Sequence, residues 1–185
     1  MNSRRDTLSG VWGDILEIGF GTGMNLAYYP AHVRKITAID VSTSLHGKAK
    51  KRMKSSALVV NYGVHSAESL PFPDGSFDTV VSTFTLCSIG NVHQALSEIV
   101  RVLRPDGRLF FAEHGLSPDP LVQKWQHRLN PVHKMLSCGC NLNRDIGGLV
   151  VAHDLTMVTL NRFYLEGVPR IFGYMYQGSA RKNAR

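Results

Sequence analysis

Short apolar runs alternate with amphipathic stretches along the front of the chain. Residues 14–18 (DILEI) predict a buried strand, and residues 24–29 a short helix stopped by Pro30. Lys35–Asp40 (KITAID) predicts a second strand, residues 43–55 a basic amphipathic helix, and residues 57–62 (ALVVNY) a third strand. The turn chemistry of Pro71-Phe-Pro-Asp-Gly75 leads into a fourth strand over residues 77–84 (FDTVVSTF). Asn91 reads as the N-cap of a helix over residues 92–103, in which Ala95, Leu96, Ile99, Val100 and Leu103 recur at helical spacing. Pro105-Asp-Gly107 stops that helix and turns into a fifth strand, residues 108–113 (RLFFAE).

The back of the chain has a different rhythm. Residues 121–135 predict a helix interrupted at Asn130-Pro131, and residues 143–152 a second one. Late strands follow over Leu155–Tyr164 and residues 171–177. Strands that alternate with helices through short loops predict an α/β fold. The expected architecture is a Rossmann-like, doubly wound, mostly parallel seven-stranded sheet with helices on both faces and an antiparallel last strand. At 185 residues the chain is expected to form a single domain, with residues 116–152 supplying helices on the acceptor side.

Bulk properties narrow the partners. With 43% hydrophobic and 19% charged residues the composition is globular. No apolar run is long enough to span a bilayer, and the first residues hold no apolar signal core. With only three cysteines, a cytoplasmic location is expected. The formal charge of +7 gathers at Lys48, Lys50, Lys51, Arg52 and Lys54, on an expected surface helix, and at Arg181, Lys182 and Arg185, in an expected tail. It leaves peripheral contact with an anionic membrane open, and with no nucleic-acid motif beside it no nucleic-acid partner is expected.

The candidate chemistry starts at residues 16–23, LEIGFGTG. Gly19, Gly21 and Gly23 occupy the first strand-to-helix turn, where parallel α/β sheets bind ligands and where glycine lets the backbone come close. Asp40 ends the second strand, placed to accept hydrogen bonds from both hydroxyls of a ribose. A dinucleotide and S-adenosylmethionine would both use it. The spacing G-x-G-x-G separates them, because a pyrophosphate calls for G-x-G-x-x-G. Glu17 would repel a diphosphate and favour an ammonium group. Residues 66–72 (SAESLPF) follow the third strand, where an adenine edge could be read.

LEIGFGTG, AID, SAESLPFPDGSFDTVVS and EIVRVLRPDGRLFFAEHG resemble the successive motifs of class I S-adenosylmethionine-dependent methyltransferases. TLCSI, FFAEHG, WQHRLNP, GCNLNRD and GYMYQGSA are similar to the methyltransferase-like thiol methyltransferase family and its bacterial relatives. The resemblance covers roughly residues 13–180. It implies S-adenosylmethionine as cofactor, S-adenosylhomocysteine as product, and a small-molecule methyl acceptor, with a thiol favoured. Phospholipid-headgroup amines and quinone carbons are the alternatives, and an inactive cofactor-binding protein or fragment is the alternative of another class. By analogy Glu17, Gly19, Gly21, Gly23, Asp40, Val41, Ala67, Glu68 and Thr83 would bind cofactor. Thr85, Trp125, Arg144 and Asp145 would line the acceptor pocket. Relatives carry a helical segment ahead of the first strand that commonly lids the cofactor. Residues 1–12 form only a short segment here, so lid helices are expected to be absent.

A thiol acceptor must lose a proton. His114, at the end of the fifth strand, is the candidate base, since imidazole ordinarily titrates at about pH 6.5. Cys138-Gly-Cys140 lacks a second ligand pair at zinc spacing, so no metal is expected.

Overall fold

The computed structural model describes residues 3–43 and 46–183. Its strands are β1 (Ile15–Ile18), β2 (Lys35–Asp40), β3 (Val59–Val64), β4 (Phe77–Thr83), β5 (Leu103–His114), β6 (Leu155–Tyr164) and β7 (Tyr174–Lys182). Its helices are α1 (Ser3–Leu8), α2 (His46–Ser55), α3 (Val92–Val102), α4 (Pro120–Leu136) and α5 (Ile146–Val151), with a 3₁₀ turn at Met24–Ala27. One seven-stranded sheet runs in the order β3-β2-β1-β4-β5-β7-β6. β7 is antiparallel to both its neighbours, while β1 to β5 pair in parallel. The expected architecture is the one observed.

Neighbouring residues in a strand face opposite sides, and two apolar layers result. Leu16, Ile18, Val80, Leu109 and Phe111 pack with Ala95, Leu96 and Ile99 of α3. Ile15, Ile36, Ala38, Val81 and Phe110 pack on the other side with Leu8 of α1 and Ala49 of α2. Strands buried on both faces explain why the front motifs read as unbroken apolar runs rather than alternating ones.

Several expectations change at their edges. The first short helix is a 3₁₀ turn ending at Ala27, opened by Gly23 at φ 73. β5 begins at Leu103, directly after α3, so Pro105-Asp-Gly107 is a bulge in the β4–β5 ladder rather than a boundary. Asp106 takes the left-handed conformation there, φ 63. Pro131 does not interrupt α4, which runs on with the proline on its exposed side. The helix expected over residues 143–152 is confined to α5, because Asp145 caps it. The last strand begins at Tyr174, so Arg181 and Lys182 belong to a strand instead of a tail, and Lys182 donates to the Leu103 carbonyl. Arg185, and residues 44–45 of the expected basic helix, lie outside the described residues.

The short stretch ahead of β1 forms α1. Leu8 is buried against the sheet, and Gln177 of β7 donates to the Ser3 carbonyl. That anchorage carries Arg4 to the carboxyl edge of the sheet.

Candidate active site

The turn after β1 bends through glycines at positive φ. At Gly19 (φ 68) a Cβ would stand 2.0 Å from Thr85 Oγ1, so the close approach there is between parts of the protein. At Gly21 (φ 55) a Cβ would find nothing nearer than 3.9 Å, so the space beside it is open. The Gly21 amide donates to Asp40 Oδ2 at 2.7 Å, and the Ser42 amide donates to Oδ1 at 2.8 Å. Each carboxylate oxygen is therefore fixed by one backbone donor and keeps a lone pair for another. Val41 beside it is 70% exposed at the rim.

Behind the turn lies a buried polar group. Glu17, 1% exposed, accepts from Asn25 Nδ2 at 3.0 Å and from the Tyr29 hydroxyl at 2.8 Å. Burial raises its carboxyl to about 7, against the pull of those donors and of the Arg4 charge. Asn25 also donates to Thr83 Oγ1 at 3.0 Å. Arg4 of α1 reaches into the same group, donating to Asn25 Oδ1 at 2.6 Å and Thr83 Oγ1 at 2.9 Å. Its guanidinium lies 4.9 Å from the centre of the Phe84 ring. Phe84 is itself strained at φ 55, where β4 ends.

The remaining expected cofactor residues are Ala67, buried in the loop after β3, and Glu68 beside it. Glu68 Oε1 accepts from the Asn91 amide at 2.9 Å, so this carboxylate ties that loop to the start of α3.

Three of the residues expected around an acceptor have other duties. Thr85 turns its hydroxyl back to the Thr83 and Ile18 carbonyls, beneath Gly19. Arg144 donates to the Leu86 and Gly90 carbonyls and pins the loop after β4. Asp145 caps α5 by accepting from the Gly148 amide at 3.1 Å. Trp125 is 49% exposed with Arg128 over its ring, because α4 buries Val122 and Gln126 and turns Trp125 outward. The loop after β4 is also held by Glu113, fully buried near the end of β5. It accepts from the Ser82 hydroxyl at 2.7 Å, the Thr85 amide at 2.8 Å and the Cys87 amide at 3.2 Å. Burial raises its carboxyl as well.

His114, the expected base, stands half-buried at the carboxyl edge with its ring 5.0 Å from Phe84. Its Nδ1 lies 3.9 Å from Cys140 Sγ. The proximity of the two thiols lowers Cys140 and raises Cys87. Arg4, Asn25 and Glu113 were missed by the sequence reading. A lone carboxylate inside the apolar run RLFFAE was the available signal for Glu113.

Residues 16–111 match the family model described as a methyltransferase domain. The chain is 35% identical to the thiol S-methyltransferase TMT1B of Rattus norvegicus over 89% of its own length and 66% of that protein's. It is 36% identical to the thiol S-methyltransferase TMT1A of Homo sapiens, over 71% of this chain and 55% of that one. The chain thus spans under two thirds of these relatives' lengths. In fold it is similar to the YcgJ protein of Bacillus subtilis, with a TM-score of 0.79 at 16% identity over 99% of both chains.

Proposed function

The chain belongs to the S-adenosylmethionine-dependent methyltransferase family, and from that premise we propose that it transfers a methyl group to the sulfur of a small thiol. The observation that carries the cofactor part is the tethered carboxylate of Asp40 beside the open space at Gly21. A ribose fits there: the oxygens are held in place and still able to accept. An ammonium fits Glu17, whose buried charge it would compensate. A carboxylate fits Arg4, held by Asn25 and Thr83. Val41, Ala67 and Glu68 would border the adenine.

S-adenosylmethionine supplies an electrophilic methyl group on a sulfonium. The protein's share is alignment, which can contribute roughly 7–11 kcal/mol to lowering the barrier. Glu113 does this indirectly by fixing the loop after β4 through its amides. Proton removal from the acceptor falls to the groups gathered around His114 at the end of β5. The thiol acceptor rests on the likeness to thiol S-methyltransferases.

Mass spectrometry after incubation with S-adenosylmethionine and a panel of a thiol, an amine, a quinone and phosphatidylethanolamine vesicles tests the proposal. An S-methyl thioether together with S-adenosylhomocysteine is the expected product. Methylation of the amine, quinone or lipid alone would contradict the thiol reading, and bound cofactor with no turnover would reveal a binding protein.

The exposed side of α2 supports peripheral contact with anionic membrane. Lys48, Lys50, Lys51 and Lys54 all face solvent, and among the described residues no helix is long and apolar enough to cross a bilayer. Vesicle association through these lysines weakens as salt rises; association independent of lipid charge would contradict it.

A further inference from the structure

Cys87, His114 and Cys140 come from the loop after β4, the end of β5 and the segment after α4. Their ligand atoms all lie within 4.8 Å of one another. Metal was not expected because Cys138-Gly-Cys140 has no second ligand pair at zinc spacing, yet Cys138 is exposed and outside this cluster. Ligands drawn from three separate segments leave no short motif to read.

The cluster is held from outside. The Cys87 amide donates to the Glu113 carboxylate, and the Cys87 carbonyl accepts from both the amide and Nδ2 of Asn141, at 2.8 and 3.0 Å. Arg144 secures the adjoining Leu86 carbonyl, and the His114 ring rests edge-on against Phe84. Two sulfurs and one imidazole form a soft donor set that suits zinc and disfavours magnesium or calcium. Tetrahedral zinc would place such atoms about 3.5–3.8 Å apart, given its ordinary bond lengths. The Nδ1–Sγ distance of 3.9 Å is already close to that. Two thiolates would neutralise a divalent ion, which removes the cost of an uncompensated buried charge. Three protein ligands leave a fourth tetrahedral position, the pattern of catalytic rather than structural zinc.

We infer that Cys87, His114 and Cys140 form a binding site for a thiophilic divalent cation, zinc by its ligand chemistry, whose fourth position takes the acceptor thiol. The site stands on geometry; its use rests on the thiol reading above. An acceptor sulfur that binds there gives its proton to solvent and keeps the electron pair as a thiolate. That pair forms the new bond to the methyl carbon, while the old carbon–sulfur pair returns to the sulfonium sulfur. The product is a neutral thioether, a weaker ligand, which leaves. His114 then serves as a ligand that orients the acceptor instead of a base. The Phe84 ring lies against both the His114 ring and the Arg4 guanidinium, which joins this cluster to the group around Glu17.

Cobalt titration of the reduced full chain tests this, with zinc as competitor. The expected result is one equivalent of cobalt showing thiolate-to-cobalt charge transfer and the visible bands of a tetrahedral ion, all abolished by zinc. Cys138→Ser keeps the site. Cys140→Ser and His114→Gln, with folding checked by circular dichroism, lose more than the roughly 10–100-fold affinity that removal of a supporting residue costs. Absence of the bands, bands that persist in both variants, or a Cys87–Cys140 disulfide in the metal-treated reduced protein would overturn the site. A cobalt spectrum unmoved by added thiol would overturn the use of the fourth position. Thiol methylation by demonstrably metal-free protein would overturn the inference and leave the methyltransferase proposal standing.

Discussion

The two sides of the crevice are built by different means. On the β1–β2 side, all the groups proposed to meet the cofactor except Arg4 and Thr83 are backbone turns and strand ends within a short stretch of chain, Glu17 to Asp40. On the β4–β5 side, the groups that meet come from residues as far apart as Cys87 and Cys140, and the buried carboxylate of Glu113 holds Cys87 by its amide. A local motif fixes the first side, whereas tertiary packing alone assembles the second. Substitutions should separate them.

The largest effect is expected at Gly19→Val. Positive φ and a Cβ forced onto Thr85 together cost about 3–5 kcal/mol of stability. Gly21→Val has the conformational strain without the internal clash. It should stay folded while losing cofactor binding, because its side chain fills the open space proposed for the ribose. Chemical denaturation and cofactor titration of the pair check this; equal destabilisation by both would deny the difference between the two glycines.

Next comes Glu113→Ala, expected to cost about 3–4 kcal/mol by leaving buried donors at Ser82, Thr85 and Cys87 without an acceptor. It should also loosen Cys87 relative to His114 while the Gly21–Asp40 contact persists. A denaturation midpoint unchanged from the parent would refute the organising role of this carboxylate.

Glu17→Gln sharpens the first side through pH. The Glu17 carboxyl is raised from 4.5 to about 7 in the folded protein, so without cofactor the folded state holds a proton that the unfolded chain has released. Its contribution to stability is full below about pH 4.5 and is lost as pH rises through about 7, a change on the order of 3 kcal/mol. Glu17→Gln should flatten that decline and weaken cofactor binding. A parent protein with no such decline, in melts followed from pH 5 to 8, would contradict the burial of this charge.

The smallest effect is expected at Trp125→Ala, within about 0.5 kcal/mol in stability and with little change in turnover, since its ring is 49% exposed on the outer side of α4. A large loss of turnover would restore it to the acceptor pocket.

The same contrast explains what could be read in advance. The mostly parallel seven-stranded sheet, its antiparallel last strand and the glycine turn after β1 were legible, because alternating elements and a contiguous motif encode them. Arg4 was not, since a six-residue helix carries no periodic signal and its partners Asn25 and Thr83 are distant in sequence. Thr85, Arg144 and Asp145 were assigned by resemblance of whole segments, which says nothing about where a side chain points. Trp125 shows the same limit in one helix turn: Val122 and Gln126, four residues apart, face inward, and Trp125, next to Gln126, does not.

The central claim is that the tethered carboxylate of Asp40 holds the ribose of S-adenosylmethionine. Titration calorimetry of the folded chain and of Asp40→Ala tests it directly. The account predicts one bound S-adenosylmethionine per chain, weakened by about 1.5–3 kcal/mol in the variant, the loss expected for hydrogen bonds to a charged group. Equal affinity in the two proteins, or a dinucleotide bound in place of S-adenosylmethionine, would contradict it.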